Sequence, residues 1–297
     1  MTSRQDAYIV SALRTPVGKA PRGVLRSTRP DDLLAHVLRG LLVKHPNLDP
    51  AAVEDVLIGC AMPEGPQGMN VARIGALLAG LPDCVPGVTV NRFCASGLQT
   101  IAMAADRIRL GEADLLIAGG TESMSQVPMM GNSPSFNPAI LAGDENLGIA
   151  FGMGITAEKV AQRWKVDRDV QDGFALQSHR RALHAQQGGA FDEEILPLET
   201  RSTVPDLAGG QVRLIKRWVT ADEGPRAETS AEALAGLRPV FAARGSVTAG
   251  NSSQMSDGAG AVLLASEAAL KRHSLTPMAR FLGFAVAGVA PEIMGIG

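Results

Sequence analysis

Cys94 is the residue of this 297-residue chain whose type and position best suit covalent chemistry. It follows residues 88–91, an apolar stretch predicted to be a strand, and it precedes a helix predicted to begin at Ala95 or Ser96. Free N–H groups and the positive end of the helix dipole at such a place favour a nucleophilic thiolate. Ala95, Ser96 and Gly97 are small and would let a substrate approach closely. Taken alone, the position also suits a small buried apolar side chain.

The other cysteines and the histidines give weaker signals. Cys60 ends an apolar stretch and Cys84 lies between two prolines, so we predict structural roles for both. His179 and His184 are five residues apart on a predicted helix and face different directions, which makes them a poor metal pair. We therefore predict no metal site. Three cysteines without a secretion signal indicate free thiols rather than disulfides.

Composition narrows the classes of function. The chain is 45% hydrophobic and 20% charged, as in soluble globular proteins, and its net charge is −2 without a long basic run. That charge gives no indication of nucleic-acid or anionic-membrane binding and favours a small-molecule substrate. Residues 1–7 do not resemble a signal peptide, and no apolar stretch is long enough to span a bilayer. We expect a cytoplasmic protein.

Several common catalytic motifs do not occur. The sequence contains no G-x-G-x-x-G, no G-x-x-x-x-G-K-[ST], no G-x-S-x-G and no C-x-x-C. This weakens interpretations as a nicotinamide dehydrogenase, a nucleotide hydrolase, an α/β serine hydrolase or a zinc protein. The glycine-rich segment at Gly119-Gly120-Thr121 suits a tight exit from a buried strand better than a phosphate loop.

The elements that must position Cys94 alternate between short apolar stretches and amphipathic ones, which predicts an α/β fold. Strands are predicted over residues 6–13, 55–60, 87–91 and 114–118, and helices over 31–43, 70–81 and 95–110. Together they make an N-terminal α/β half over residues 1–120.

Residues 121–247 are richer in Met, Pro, Ser and Gly and lack regularly spaced strand patterns, so they are predicted to form an inserted loop domain. Within it, Asp167 is a predicted N-cap for a helix that runs to residue 187, and residues 192–198 and 211–216 are predicted short strands. From residue 248 the alternation of apolar and amphipathic stretches resumes, which predicts strands over 261–264 and 280–289 and a helix over 267–273. We expect residues 248–297 to open a second α/β half that is cut short.

The motif around Cys94 is similar to that of a known family. Asn91-Arg92-Phe93-Cys94-Ala95-Ser96-Gly97 resembles the acyl-enzyme motif of thiolases, and Gly119-Gly120-Thr121-Glu122-Ser123-Met124-Ser125 resembles the segment that follows it there. Further similar segments occur in the family's order: Arg14-Thr15-Pro16-Val17-Gly18, Met153-Gly154-Ile155-Thr156-Ala157-Glu158, Leu237-Arg238-Pro239-Val240-Phe241, Val247-Thr248-Ala249-Gly250-Asn251-Ser252-Ser253, Ser256-Asp257-Gly258-Ala259 and Pro291-Glu292-Ile293-Met294-Gly295. The resemblance covers essentially the whole chain.

The resemblance implies a layered αβαβα fold with an inserted loop domain and an incomplete second half. It implies that Cys94 attacks the 3-keto carbonyl of a 3-oxoacyl-CoA, releases acetyl-CoA and passes the acyl group to coenzyme A. Coenzyme A is then a substrate, and no cofactor is expected. A homodimer or homotetramer is also implied.

Binding residues follow from the same resemblance. Ser253 and Ala249 match positions near the pantetheine arm of coenzyme A, and Arg226 matches an arginine near its nucleotide end, where a guanidinium suits a phosphate or an adenine face. A solvated surface arginine is the alternative for Arg226. Met153 matches a methionine of the acyl site. Gly152 replaces a histidine of short-chain acetoacetyl-CoA thiolases, which favours a general 3-oxoacyl-CoA substrate.

Two alternatives stay open at this point. The family's Gly-His-Pro, Cys-x-Gly-Gly-Gly and Asn-Glu-Ala-like segments do not occur in this sequence, so we expect a weakly active or inactive chain, or one that acts by binding only. A condensing enzyme of the ketoacyl-synthase kind is the second alternative. The Met153 and Asn251 motifs favour a thiolase over it.

Overall fold

The computed structural model describes residues 5–206 and 209–297. The strands are β1 (Ala7–Arg14), β2 (Gly18–Lys19), β3 (Asp55–Gly59), β4 (Gly87–Val90), β5 (Leu115–Ser123), β6 (Leu198–Asp206), β7 (Gln211–Val219), β8 (Ser256–Ser266) and β9 (Ala279–Arg280). The helices are α1 (Pro30–Lys44), α2 (Val71–Ala79), α3 (Ser96–Leu110), α4 (Pro138–Leu141), α5 (Met153–Trp164), α6 (Arg168–Gln187), α7 (Ala231–Ala235) and α8 (Glu267–Arg272). None of the described helices is long and apolar enough to cross a membrane.

The chain divides into two compact units. The first comprises Met1–Asn132, Phe191–Gly224 and Met255–Gly283, and the second comprises Ser133–Ala190, Pro225–Gln254 and Phe284–Gly297.

A mixed sheet organises the first unit. Its strand order is β4-β3-β5-β8-β1-β9, with β2 paired to β8. β3 runs parallel to β4 and β5, with Gly59 opposite both Val90 and Gly120, so the carboxyl ends of these three strands meet at one edge. β8 lies antiparallel between β5 and β1.

Helices cover both faces of this sheet. Successive residues of a strand point to opposite faces of the sheet, and both faces of β5 are buried against helices. Leu115 and Ile117 pack in a core with α1 and α2, whereas Leu116 and Ala118 pack in a second core with α3. This double coverage explains why residues 56–58 of β3 and 115–118 of β5 are apolar in succession rather than in alternation.

The second unit is mainly helical. It contains α4 to α7 and a short 3-10 segment, Pro291–Ile296. Asp167 caps α6 by accepting a hydrogen bond from the Val170 N–H, as the sequence predicts.

The α/β fold class is confirmed, and the predicted strands and helices of the first 118 residues all occur with small changes of boundary. Two predicted strands are wrong. Residues 280–289 contain only the end of β9, and residues 192–198 only the beginning of β6.

The domain boundaries also differ from those expected. Residues 255–283 do not open a second half, because β8 completes the first sheet between β1 and β5. The β6–β7 hairpin belongs to the first unit as well, not to the inserted domain. The place of β8 has a clear physical cause, since its pairing with the distant strands β1 and β5 leaves no mark in the local apolar pattern.

Candidate active site

Cys94 lies in a tight turn between β4 and α3. β4 ends at Val90, α3 begins at Ser96, and the Cys94 side chain is exposed. Phe93, immediately before it, has a left-handed φ of 46°. For a residue with a side chain this conformation costs about 1–2 kcal/mol, so the surrounding contacts must hold the turn in place.

Ser96 provides one set of those contacts. Its buried hydroxyl accepts a hydrogen bond from the Arg92 N–H at 2.8 Å and donates one to the Phe93 carbonyl at 2.6 Å. The Ser96 N–H also donates to the Phe93 carbonyl, at 3.0 Å. The residue predicted only to be small therefore closes the turn around Cys94.

Asn91 provides a second set. Its Oδ1 accepts a hydrogen bond from the Phe93 N–H at 2.7 Å, and its Nδ2 donates to the Ala61 carbonyl at 3.0 Å. Ala61 follows β3 in the chain, so this side chain links the turn to the neighbouring strand.

Glycines let the first turn of α3 approach the sheet. A Cβ on Gly59 would lie 2.4 Å from the Ser96 carbonyl carbon and 2.6 Å from the Gly97 nitrogen. A Cβ on Gly120 would lie 3.6 Å from the Gly97 Cα. Gly119 and Gly120 are not the predicted exit from a buried strand, because both are paired inside β5, which continues to Ser123. Gly120 instead makes room for the helix that begins beside Cys94.

This geometry gives Cys94 the surroundings of a nucleophile. Among the described residues, the N–H groups of Gly97 and Leu98 have no hydrogen-bond acceptor. Unpaired N–H groups in the first turn and the helix dipole both stabilise negative charge close to the N-terminus. An exposed thiol beside such a helix end is accessible for attack on a carbonyl carbon.

Each unit contains a concave space. A cavity of about 370 Å³ in the first unit is lined in part by Gly97, Gly120 and Arg14, and Cys94 does not line it. A cavity of about 480 Å³ in the second unit is lined in part by Phe151 and Lys159.

The remaining predicted site residues lie in the second unit. Met153 is the first residue of α5 and is 39% exposed. Ala249 and Ser253 are exposed and belong to one loop, and Arg226 is exposed as well. The Arg226 N–H donates a hydrogen bond to Nδ1 of His179 at 3.2 Å, which leaves the guanidinium out of that contact.

Buried polar groups anchor the loop that carries Ala249 and Ser253. Asn251 donates through Nδ2 to Asp172 at 2.9 Å and accepts through Oδ1 from the Thr248 N–H at 2.7 Å. Glu158 of α5 accepts from the N–H groups of Ser246 and Val247. The loop is therefore fixed to both α5 and α6.

Comparison with known proteins identifies the family. The family model described as Thiolase, N-terminal domain matches residues 7–268. The chain is 47% identical over 294 residues to a 3-ketoacyl-CoA thiolase of Bacillus subtilis (strain 168), covering 99% of this chain and 74% of that protein. It is 45% identical over 307 aligned residues to a β-ketoadipyl-CoA thiolase of Pseudomonas aeruginosa, with the same coverage.

Solved structures agree with the sequence matches. An acetyl-CoA acetyltransferase of Bacillus anthracis has a TM-score of 0.86 at 36% identity, covering all of this chain and 74% of that one. Human mitochondrial 3-ketoacyl-CoA thiolase in complex with CoA has a TM-score of 0.83 at 35% identity, covering 99% and 73%. The chain belongs to the thiolase family.

Within this thiolase the other two cysteines have different surroundings from Cys94. Burial, together with the nearby Glu122 carboxylate, raises the pKa of the Cys60 thiol to about 12, so Cys60 stays protonated at neutral pH. Cys84 is exposed and lies in the loop between α2 and β4.

Each unit also contains charged residues whose structural roles were not predicted from the sequence. Glu158 and Asp172 are charged residues on amphipathic helices, where a solvated position is the usual expectation, yet both are buried and hold the loop at Asn251. Arg14 was part of a matched motif without a role, and the structure pairs it with Glu194 at 2.6 Å and Asp222 at 2.7 Å. Their partners lie far away in the sequence, so no local signal indicated these roles.

Proposed function

We propose that this thiolase chain transfers acyl groups to and from coenzyme A through a thioester on Cys94, in the thiolytic cleavage of 3-oxoacyl-CoA. The observation that carries the proposal is the exposed Cys94 thiol in the turn just before α3, inside the motif that resembles the acyl-enzyme motif of the family. The names of the relatives, 3-ketoacyl-CoA thiolase and β-ketoadipyl-CoA thiolase, support the same chemistry.

The reaction proceeds in two transfers. The Cys94 thiolate attacks the 3-keto carbon, the bond between C2 and C3 breaks, and its electron pair leaves on the enolate of acetyl-CoA, which then takes a proton. The acyl group remains on sulfur until the thiolate of coenzyme A attacks it and releases acyl-CoA. The N–H groups at the start of α3 favour the thiolate each time it forms.

The proposed coenzyme A contacts are Met153, Arg226, Ala249 and Ser253. Support comes from their matched positions in the family motifs and from the anchored loop that carries two of them. Arg226 would contact the nucleotide end, because a guanidinium can pair with a phosphate or stack on adenine. Coenzyme A acts as a substrate, and the proposal includes no further cofactor and no metal.

The proposed substrates are 3-oxoacyl-CoA thioesters of fatty-acid β-oxidation. Gly152, where short-chain acetoacetyl-CoA thiolases carry histidine, supports this choice. We further propose a cytoplasmic location, supported by three free cysteines, and a homodimer or homotetramer, supported by the position of β4 at the edge of the sheet.

Isotope exchange tests the proposal. In the presence of the chain, label from free coenzyme A is expected to appear in acetyl-CoA, because the acyl group stays bound to the enzyme between the two transfers and can be taken up by labelled coenzyme A. The Cys94→Ala variant is expected to show no exchange, and Cys84→Ala, which removes another exposed thiol, to exchange like the unmodified chain. Exchange that persists in Cys94→Ala would refute the proposal.

A further inference from the structure

The turn at Cys94 is connected to a carboxylate two strands away in the sheet. Glu122, near the end of β5, accepts a hydrogen bond through Oε2 from the Ala61 N–H at 2.6 Å. The Ala61 carbonyl in turn accepts from Nδ2 of Asn91, whose Oδ1 holds the Phe93 N–H. These contacts cross the carboxyl ends of β5, β3 and β4 and end at the residue before the nucleophile.

The Glu122 carboxylate is itself held. Gln67, which is fully buried, donates through Nε2 to Glu122 Oε1 and to the Met62 carbonyl, and it accepts through Oε1 from the Ser123 N–H. Both Glu122 oxygens are thus used. Hydrogen bonds to a carboxylate are about twice as strong as those between neutral groups, so Ala61 has a well-defined position.

We infer that Asn91 and Glu122 are positioning residues for Cys94, acting through the backbone of Ala61. Phe93 is in a left-handed conformation at φ 46°, which the chain adopts only where its surroundings enforce it. Asn91 enforces it by binding the Phe93 N–H, and Asn91 keeps its own orientation only while its Nδ2 has the Ala61 carbonyl to bind. This inference rests on the proposed role of Cys94 as nucleophile.

Two variants and a matched control test the inference. Asn91→Ala removes both amide contacts, and Glu122→Gln keeps the shape of the side chain but can accept from only one of its two donors. The control is Asn70→Ala. Asn70 is also exposed and also binds through both ends of its amide, to the Gly87 carbonyl at 2.8 Å and the Arg73 N–H at 3.3 Å, but it caps α2 and contacts the start of β4, at the far end of that strand from Cys94.

Two quantities are measured for each variant. The first is the rate at which acetyl-CoA acylates Cys94. The second is the rate of Cys94 alkylation divided by that of Cys84 in the same chain, as a function of pH. Asn91→Ala and Glu122→Gln are each expected to slow acylation roughly 10- to 100-fold, because small misplacements of a nucleophile cost that much. Alkylation of Cys94 relative to Cys84 is expected to fall with them and to shift its pH dependence. Asn70→Ala is expected to change the acylation rate less than about twofold.

The double variant Asn91→Ala/Glu122→Gln shows whether the two residues act on Cys94 through the same contacts or whether each substitution damages the structure independently. If Glu122 acts through Asn91, the Asn91→Ala and Glu122→Gln effects are not additive, and the double variant is about as slow as the slower single variant. Fully additive effects, unchanged rates, or equal slowing by Asn70→Ala would overturn the inference. If the unmodified chain forms no adduct, the proposed function fails, whereas the ratio of Cys94 to Cys84 alkylation still decides the positioning role.

Discussion

Cys94 and Cys60 lie in the same unit but in different surroundings. Cys94 is exposed in the turn before α3, and Cys60 is 1% exposed beneath the Glu122 carboxylate. Desolvation disfavours a charged thiolate, whereas a helix N-terminus favours it. The sequence could indicate this contrast because it depends on local position: Cys60 directly follows a buried strand, and Cys94 directly precedes a helix.

The raised pKa of Cys60 predicts a dependence of stability on pH. The unfolded thiol ionises near its ordinary value of 9.0, and the folded thiol at about 12. The unfolded state therefore loses its proton first, so the contribution of Cys60 to stability is present below about pH 9 and is lost as the pH rises toward 12.

Urea unfolding at about pH 8 and at about pH 10 measures this effect. The free energy of unfolding of Cys60→Ala is expected to fall less over that range than that of the unmodified chain. Cys84→Ala, which changes an exposed cysteine, is expected to follow the unmodified chain. Parallel losses in all three proteins would contradict the assignment of a buried, protonated Cys60.

At the scale of elements, the site depends on how closely α3 approaches the ends of β3 and β5. Gly59 faces the backbone of Ser96 and Gly97, and no flexible side chain there can move aside. The same contact places the helix N-terminus beside Cys94. Packing and reactivity are therefore linked at this position.

Gly59→Ala is expected to destabilise the chain by about 1–3 kcal/mol, the usual range for overpacking, and to slow alkylation of Cys94. Gly173→Ala is the matched control, since nothing lies within 4 Å of a Cβ at that position in α6. It is expected to stabilise the chain by about 0.5–1 kcal/mol, because alanine loses less backbone entropy in a helix. Denaturant unfolding of both variants checks this, and a Gly59→Ala protein as stable as the unmodified chain would refute the packing argument.

Elements with strong local patterns were predicted well, and those that depend on distant pairing were not. The periodicity of α1, the capping of α6 by Asp167 and the turn at Cys94 were all evident in the sequence. The place of β8 was not, because its antiparallel register with β1 and β5 involves residues more than a hundred positions away. The predicted strand over residues 280–289 is wrong because, in the part of the chain that the structure describes, no strand pairs with its apolar residues beyond Arg280.

At the scale of the whole molecule, the chain aligns along nearly all of its length with thiolases and spans about three-quarters of the length of the relatives it matches. The first unit carries Cys94 with its supporting residues, and the second carries the four proposed coenzyme A contacts. Transfer of an acyl group to Cys94 therefore depends most directly on the first unit.

Mass spectrometry of the intact chain after mixing with acetyl-CoA, followed by peptide mapping, tests that claim. We expect one acetyl group per chain, on the peptide that contains Cys94, and we expect added coenzyme A to remove it. We expect no such adduct in Cys94→Ala and an unchanged adduct in Cys84→Ala. An unmodified Cys94 peptide, or an adduct that persists in Cys94→Ala, would contradict it.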